Sequence, residues 1–253
     1  IGRLFFWLGR CLYIGPGGRT ALHSHHALQI AVALDGELRV RGSENADWVC
    51  HFAIAVAPDA PHQLEHDGRW LALLYADPEM PRISSAAQPA IRVIDTPLGD
   101  AREELRACWN GAAGAARASQ CAEVLLNAVA PGSKLIPMDS RVAAAVTAIQ
   151  SVSGRVSKVA AVADSVGLSE SRLAHLFRDQ VGLPLRRYAL WVRLCTAVQM
   201  LGTGRNLSDA AHASGFADHA HFTRTFRQMF GLVPSQIAAA EFMKVEPLFS
   251  TAT

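Results

Sequence analysis

Short apolar runs separated by turn signals dominate the first part of the chain. Between residues 3 and 74, Gly, Pro and Asp motifs interrupt the apolar positions about every 8 to 12 residues, among them GPGG at 15, DG at 35 and PDAP at 58. Regularly spaced short strands joined by such turns are typical of a small β-sandwich or β-barrel. We therefore predict that the N-terminal domain is built from β-strands.

The apolar positions change to helical spacing after residue 100. Ala-rich sequence predicts helix over residues 100–129, the prolines and glycine of APGSKLIPMD predict a linker, and the chain after Asp139 is predicted to be helical throughout. We predict a two-domain α+β protein, in which a β-barrel with flanking helices precedes an all-α domain. The barrel is predicted over residues 1–80, a helical segment and linker over 81–136, the all-α domain over 137–244 and a tail over 245–253.

Two stretches of the helical domain repeat each other. GLSESRLAHLFRDQVGLP begins at Gly167 and GFADHAHFTRTFRQMFGLVP begins at Gly215, and in each copy a short Ala-rich helix precedes the glycine and a longer helix follows it. Glycine permits the positive φ of a tight reversal, and an alanine three to four residues earlier lets two helices cross closely. Each copy therefore predicts a helix-turn-helix.

The second helix of each copy has one apolar face and one polar face. The apolar positions are Leu173, Leu176 and Phe177 in the first copy and Phe222, Phe226, Met229 and Phe230 in the second. The polar faces carry His175 and Arg178, and His219, His221, Thr223, Arg224 and Arg227. Either these faces bind a partner, or the helices only pack as a bundle and the polar side chains are solvated.

A single helix is predicted between the two copies, from Pro184 to a stop at Gly202. At 1.5 Å per residue its roughly 18 residues are about 27 Å long. A spacer of that size can hold two recognition helices about 34 Å apart, which is one turn of B-DNA.

Charge and cysteine content agree with a DNA-binding protein inside the cell. Residues 1–138 carry 12 basic and 14 acidic side chains, whereas residues 139–253 carry 12 and 8, so the repeat lies in the basic half. The five cysteines are scattered and form no C-x-x-C pair, as expected of reduced thiols in the cytoplasm. No apolar run is long enough to span a bilayer, and we expect no membrane partner.

The helical domain resembles the DNA-binding domain of AraC-type transcriptional regulators. The resemblance runs over about 100 residues, from DSRVAAAVTAIQ to LSDAAHASGFADHAHFTRTFRQMFGLVPSQI, and departs from the family pattern at Leu207, Ala220 and Gln236 among others. It implies binding to double-stranded promoter or operator DNA, a homodimer formed through the helical segment, and RNA polymerase as a further partner.

The resemblance also implies which side chains contact DNA. They are Ser171, Arg172, His175 and Arg178 in the first copy and His219, His221, Thr223, Arg224 and Arg227 in the second. Arg224 is the strongest candidate for reading a base, because a guanidinium pairs with guanine O6 and N7. Arg172, Arg186 and Arg187 are predicted to be solvated or to contact phosphates rather than bases.

The N-terminal domain contains a motif similar to the first motif of cupins. His23, His25 and Gln29 follow the spacing G-x5-H-x-H-x3-[E/Q]-x6-G, with Gln in place of the usual Glu. PDAPH, which ends at His62, resembles a shortened second cupin motif. In metal-bearing cupins the corresponding histidines converge on one ion. His23, His25 and His62 are therefore candidate metal ligands, although Gln29 would be a poor fourth ligand.

The same strand alternates between small or polar odd positions and large apolar even positions. A barrel face lined by Ala, His and Gln would suit a small polar effector bound by His23, His25, Gln29 and His62. Three alternatives remain open for this face: it is solvated, it binds an organic effector, or it binds a metal.

We predict a transcriptional regulator, with no catalytic residues and with no identified cofactor, that responds to a small-molecule effector in a cupin-like barrel. The alternatives are a metal-responsive regulator, a cupin-type metalloenzyme, and a constitutive DNA-binding protein whose barrel only dimerises. The Gln at position 29 and the shortened second motif argue against the enzyme.

Overall fold

The computed structural model describes residues 2–7, 9–66, 70–78, 83, 89–131, 138–153, 159–181, 183–231 and 233–234, and the backbone of 241–244. The strands are β1 (Arg3–Trp7), β2 (Arg10–Pro16), β3 (Leu28–Ala33), β4 (Leu38–Arg41), β5 (Val49–His51), β6 (Ala53–Val56), β7 (Gln63–Glu65), β8 (Trp70–Ala76), β9 (Ile91–Val93) and β10 (Glu241–Lys244). The helices are α1 (Ala101–Asn110), α2 (Ala115–Val129), α3 (Ser140–Ser151), α4 (Val159–Ser165), α5 (Glu170–Val181), α6 (Leu185–Gly202), α7 (Leu207–Ala213) and α8 (His219–Phe230).

The N-terminal region is rich in β-sheet, as predicted. One sheet has the strand order β10-β1-β2-β8-β3-β6-β9, and a smaller one has the order β5-β4-β7. The two sheets share a hydrophobic cluster, to which β3 contributes Ala31 and Ala33 and the smaller sheet contributes Leu38, Val40 and Leu64. The small face of β3 is therefore covered by larger side chains rather than left open.

The opposite face of the large sheet is covered by α1 and α2. Leu28, Ile30 and Val32 on β3 share a cluster with Leu105 on α1 and Leu125 on α2. The single helical stretch predicted over residues 100–129 is thus two helices, separated at Gly111. The buried apolar stripe of these helices packs on the sheet, so the homodimer predicted for this segment would have to use their outer faces.

The two helix pairs of the C-terminal region repeat the same turn geometry. Gly167 and Gly215 have φ values of 67° and 82°, in the left-handed region that glycine enters without strain. The N–H of Leu168 donates to Ala163 O at 3.0 Å, and the N–H of Phe216 donates to Ala211 O at the same distance. The repeat seen in the sequence is therefore a repeat of backbone hydrogen bonds.

Helix α6 joins the two pairs and has 18 residues, the length predicted from the sequence. Pro184 is its N-cap rather than its first helical residue. The helix packs through its apolar residues, of which Tyr188, Trp191, Leu194, Val198 and Leu201 are buried. Among the described helices, none combines the length and the apolar character that a bilayer crossing requires.

The N-terminal and C-terminal regions share one hydrophobic core. Phe6 on β1 contacts Trp191 on α6 and Phe230 on α8, with ring centroids 5.9 and 5.7 Å apart. The C-terminal region is helical as predicted, but it also contains a strand that was not predicted, because residues 241–244 pair in parallel with β1. The sequence of residues 241–244 has no alternation of apolar and polar residues that would predict a strand.

Candidate functional site: two polar helix faces and a histidine cluster

The outer face of α5 is exposed and polar. Leu173 and Phe177 are fully buried, which turns the opposite side of the helix to solvent. The exposed side carries the four residues predicted from the sequence, Ser171, Arg172, His175 and Arg178. His175 Nε2 lies 3.2 Å from Asp179 Oδ2, so this imidazole already has an acidic neighbour one turn away.

The outer face of α8 is held in place by its cap and by four buried apolar side chains. Asp218 accepts a hydrogen bond from the His221 N–H at 2.6 Å, and this bond, together with nearby Arg224, keeps the pKa of the carboxyl below its usual value. His219, Arg224 and Arg227 are exposed. Thr223 is half-buried, as is His221, whose ring lies 5.4 Å from the ring of Phe216.

One predicted phosphate contact is wrong. Arg187 was grouped with Arg186 as a solvated or phosphate-binding charge, but its Nε donates to Asp77 Oδ2 at 2.7 Å and its side chain is only 22% exposed. Asp77 is fully buried and also accepts a hydrogen bond from the Trp191 indole N–H. Arg186 is exposed on α6, and its contact with phosphate stays a prediction.

His23, His25 and His62 form a compact group, which we call the histidine cluster. One nitrogen from each ring lies within 4.8 Å of the others. His23 and His62 face each other through an isolated antiparallel bridge, with N–H···O distances of 3.0 and 2.8 Å. His25 follows two residues after His23 and therefore points to the same side of the extended chain. Among the described residues the spacing identified in the sequence does bring these three side chains together.

Each ring of the histidine cluster has a backbone carbonyl beside its Nδ1. The partners are Ala21 O for His23 at 2.9 Å, Ala27 O for His25 at 3.0 Å and Ala60 O for His62 at 3.0 Å. A carbonyl can only accept, so a neutral ring places its proton on Nδ1 and leaves the lone pair on Nε2. The three Nε2 atoms are thereby available as ligands.

The cluster is largely shielded from water. His25 and His62 are buried, whereas His23 is half-buried at the rim. Burial lowers the pKa of His62 to about 4, and the neighbouring His25 and His23 rings add to this effect. Burial also lowers the pKa of His25. Both rings are therefore neutral at pH 7.

Gln29 extends the polar group on the same strand. Its Oε1 lies 3.0 Å from His25 Nε2. Because His25 has only one proton to donate and Ala27 O takes it, the nitrogen on the Gln29 side can accept from the amide group or bind a cation. Buried Tyr75, whose ring is 5.4 Å from that of His25, also borders the group and was not identified from the sequence. Only its position opposite Gln29 on β8 could have indicated it.

The histidine cluster lies against the end of α8. Gly231, the C-cap of α8 with φ of 70°, approaches so closely that an added Cβ would lie 2.7 Å from His23 Cδ2 and 2.9 Å from His25 Cδ2. The N–H groups of His26 and Ala27 donate to Gln228 O and Met229 O at 2.9 and 3.2 Å. The sequence had given no sign of this contact, because its partners are about 200 residues apart.

Comparison with known proteins identifies the helical region. A family model described as a helix-turn-helix domain matches residues 162–240. The arabinose operon regulatory protein of Salmonella typhimurium is 36% identical over 108 residues, or 41% of this chain. The HTH-type transcriptional activator RhaR of Yersinia pestis is 31% identical over 101 residues, or 40% of this chain. By their names these relatives are regulators rather than enzymes.

The sequence matches cover only part of those relatives. The chain spans 37% of the arabinose operon regulatory protein and 35% of the activator RhaR. The crystal structure of ToxT from Vibrio cholerae O395 matches over 91% of this chain and 97% of its own, with a TM-score of 0.50 and 10% identity. That likeness extends the two-region α+β fold, with its sheet-rich N-terminal part, to nearly the whole chain.

Proposed function

We propose that the protein is a sequence-specific DNA-binding transcriptional regulator of the AraC type, because residues 162–240 match a helix-turn-helix domain and 108 residues are 36% identical to an arabinose operon regulatory protein. The observation that carries the proposal is the pair of exposed polar faces on α5 and α8, each following the same glycine turn. These helices are the reading elements of two helix-turn-helix motifs. Arg224 reads a base, and Arg172 and Arg186 contact phosphates.

The spacing of the two motifs supports simultaneous binding in two grooves. Helix α6 has 18 residues, which corresponds to about 27 Å, and its buried stripe fixes both motifs to one rigid spacer. One protomer would then span successive major grooves on one face of the duplex.

The N-terminal region is the sensing domain in this proposal. Its two sheets share a core, which supports a cupin-like barrel, and the histidine cluster with Gln29 is the effector site. The protein works in the cytoplasm as a homodimer that contacts promoter DNA and RNA polymerase.

Nuclease footprinting on DNA upstream of the protein's own gene tests the proposal. We expect one protomer to protect two successive major grooves, close to about 20 base pairs. Competition with unrelated DNA at the same salt concentration is the control, because phosphate contacts alone bind every sequence. Protection of one groove only, or equal competition by unrelated DNA, would contradict it.

A further inference from the structure

The histidine cluster has the features of a metal site that is prepared before the ion arrives. Histidines that bind metals usually donate the other ring N–H to a carbonyl or carboxylate, which fixes the tautomer and the ring orientation. All three rings have this arrangement, with carbonyls 2.9 to 3.0 Å from Nδ1. Three imidazole ligands favour a divalent transition metal over the harder Mg²⁺ and Ca²⁺, which prefer oxygen.

A buried nitrogen in the cluster needs a partner. His62 is fully buried, and its Nε2 has no hydrogen-bond partner in the part of the chain that the structure describes. Leaving such a polar atom unpaired costs about 1–3 kcal/mol. A metal ion between the three rings would bind this lone pair, and half-buried His23 at the rim leaves a route for the ion to enter.

The three ligand nitrogens have to move only slightly closer together to bind one ion. Nitrogens bound to one Zn²⁺ at about 2.0–2.1 Å lie about 3.3 Å apart in a tetrahedral site. The ligand nitrogens here lie within 4.8 Å of one another, so each ring has to move by about 1 Å or less towards the centre. Gln29 or water would supply the fourth ligand, since Gln29 Oε1 is already 3.0 Å from His25 Nε2.

Because the histidine cluster lies against the end of α8, an ion bound there would also act on this helix end. The carboxyl end of a helix carries partial negative charge from its last carbonyls, and a cation there is stabilising. His26 and Ala27 donate to two of those carbonyls, and Gly231 lies against His23 and His25. An ion that draws the three rings together therefore orders the loop on which the end of α8 rests.

We propose that His23, His25 and His62 bind one divalent transition-metal ion at the domain interface, and that this ion holds the end of α8 against the N-terminal domain. The metal site stands on its own geometry, whereas its regulatory meaning rests on the proposed DNA-binding function. Metal occupancy would then set how freely the second reading helix can orient on DNA.

Metal titration of the full chain tests the site. Chelator-treated protein is titrated with ZnCl₂, and with CoCl₂ to follow the visible absorption of bound cobalt. All samples carry Cys50→Ser, because this exposed thiol could bind zinc by itself. We expect one ion per chain in the parent protein. We expect His62→Ala and His23→Ala each to weaken binding by more than about 100-fold, because loss of an outer partner alone typically costs about 10–100-fold.

His26→Ala is the matched control, since this neighbouring side chain is outside the cluster and pairs with exposed Asp59 at 3.0 Å. It should bind the metal like the parent. His23→Ala covers the case in which loss of buried His62 prevents folding, because His23 is half-buried. Equal binding by the parent and His23→Ala, or no stoichiometric binding by the parent, overturns the site.

Hydrogen exchange tests the effect on α8. Zn²⁺ should slow exchange of the His26 and Ala27 amides in the parent but not in His23→Ala. Metal binding without this change overturns the interface role and leaves the site intact. Footprints of the same samples separate the two proposals: a parent protein that binds no metal but shows specific protection overturns only the metal site, whereas metal binding without specific protection overturns only the DNA-binding function.

Discussion

Two neighbouring arginines at the start of α6 have different surroundings. Arg186 is exposed, whereas Arg187 donates to buried Asp77 at 2.7 Å and is held inside the molecule. Only the exposed arginine can approach a phosphate without breaking an ion pair. When the DNA affinities of arginine variants are compared, Arg186 and not Arg187 is therefore the residue to replace as the control for loss of a phosphate contact.

Replacing Arg224 should change base preference as well as affinity. Arg224 is exposed on α8 beside the cap Asp218, and a guanidinium that pairs with guanine O6 and N7 contributes about 1–3 kcal/mol of discrimination. We expect Arg224→Ala to lose that amount on the footprinted site and to relax preference at one or two base pairs. Binding to a panel of singly substituted operators measures this loss.

Arg186→Ala is the control for that measurement. It should weaken binding to all sequences alike and reduce the slope of affinity against salt concentration by about 1, because it removes one phosphate contact. A uniform loss in both variants would mean that Arg224 also contacts phosphate.

Residue contacts could be predicted from sequence where the spacing is local. His23 and His25 share a side because they are two residues apart, and His62 was added because PDAPH resembles a shortened second cupin motif. Asp77 could not be identified in this way, because its partners Arg187 and Trp191 lie more than 100 residues away on another domain. Asp77 is buried by tertiary packing between distant segments, and such packing leaves no periodic pattern in the neighbouring sequence.

At the scale of elements, α2 presents a buried and an exposed apolar residue side by side. Leu125 is fully buried in the cluster between α2 and the large sheet, whereas Val124 is 40% exposed. We expect Leu125→Ala to lower the free energy of unfolding by about 2–5 kcal/mol at every protein concentration, because it opens a cavity. Denaturant unfolding of the full chain measures this loss.

Val124→Glu is the matched variant on the outer face of α2. We expect it to leave the unfolding free energy of the protomer within about 0.5 kcal/mol and to shift the proposed dimer towards monomer. Sedimentation equilibrium of both variants separates the two effects. A parent protein whose mass stays that of a monomer at all concentrations would contradict the proposed dimer.

The helix pairs could be predicted closely, because their signals are local. Each pair has a glycine at the turn and an apolar stripe on the second helix, and both features occur in the structure where the sequence placed them. The partner of α1 and α2 could not be predicted, since an apolar stripe at helical spacing gives no information on whether it packs on a sheet or on a second copy.

At the scale of the whole molecule, the two regions are joined by a shared core with one buried ion pair. Asp77 comes directly after β8 and accepts hydrogen bonds from the Arg187 guanidinium and the Trp191 indole on α6. Around it Phe6, Trp191 and Phe230 are in mutual ring contact. Because α6 also carries both helix pairs, this junction fixes the N-terminal domain relative to the DNA-binding faces.

Removing Asp77 should therefore loosen the junction between the regions. Breaking a buried ion pair from one side typically costs about 3–5 kcal/mol, because the remaining charge is left without compensation, and Arg187 is only 22% exposed. We expect Asp77→Ala to lose about that much stability. It should unfold in two thermal transitions, whereas the parent, with its shared core, unfolds in one.

The matched control is Asp95→Ala. The Asp95 carboxylate pairs with His51 at 3.2 Å but is 82% exposed, so its loss should cost no more than about 1 kcal/mol. If calorimetry gave a single transition and an equal loss for both variants, the ion pair at Asp77 would not be what couples the two regions, and the aromatic contacts of Phe6 would have to provide that coupling alone.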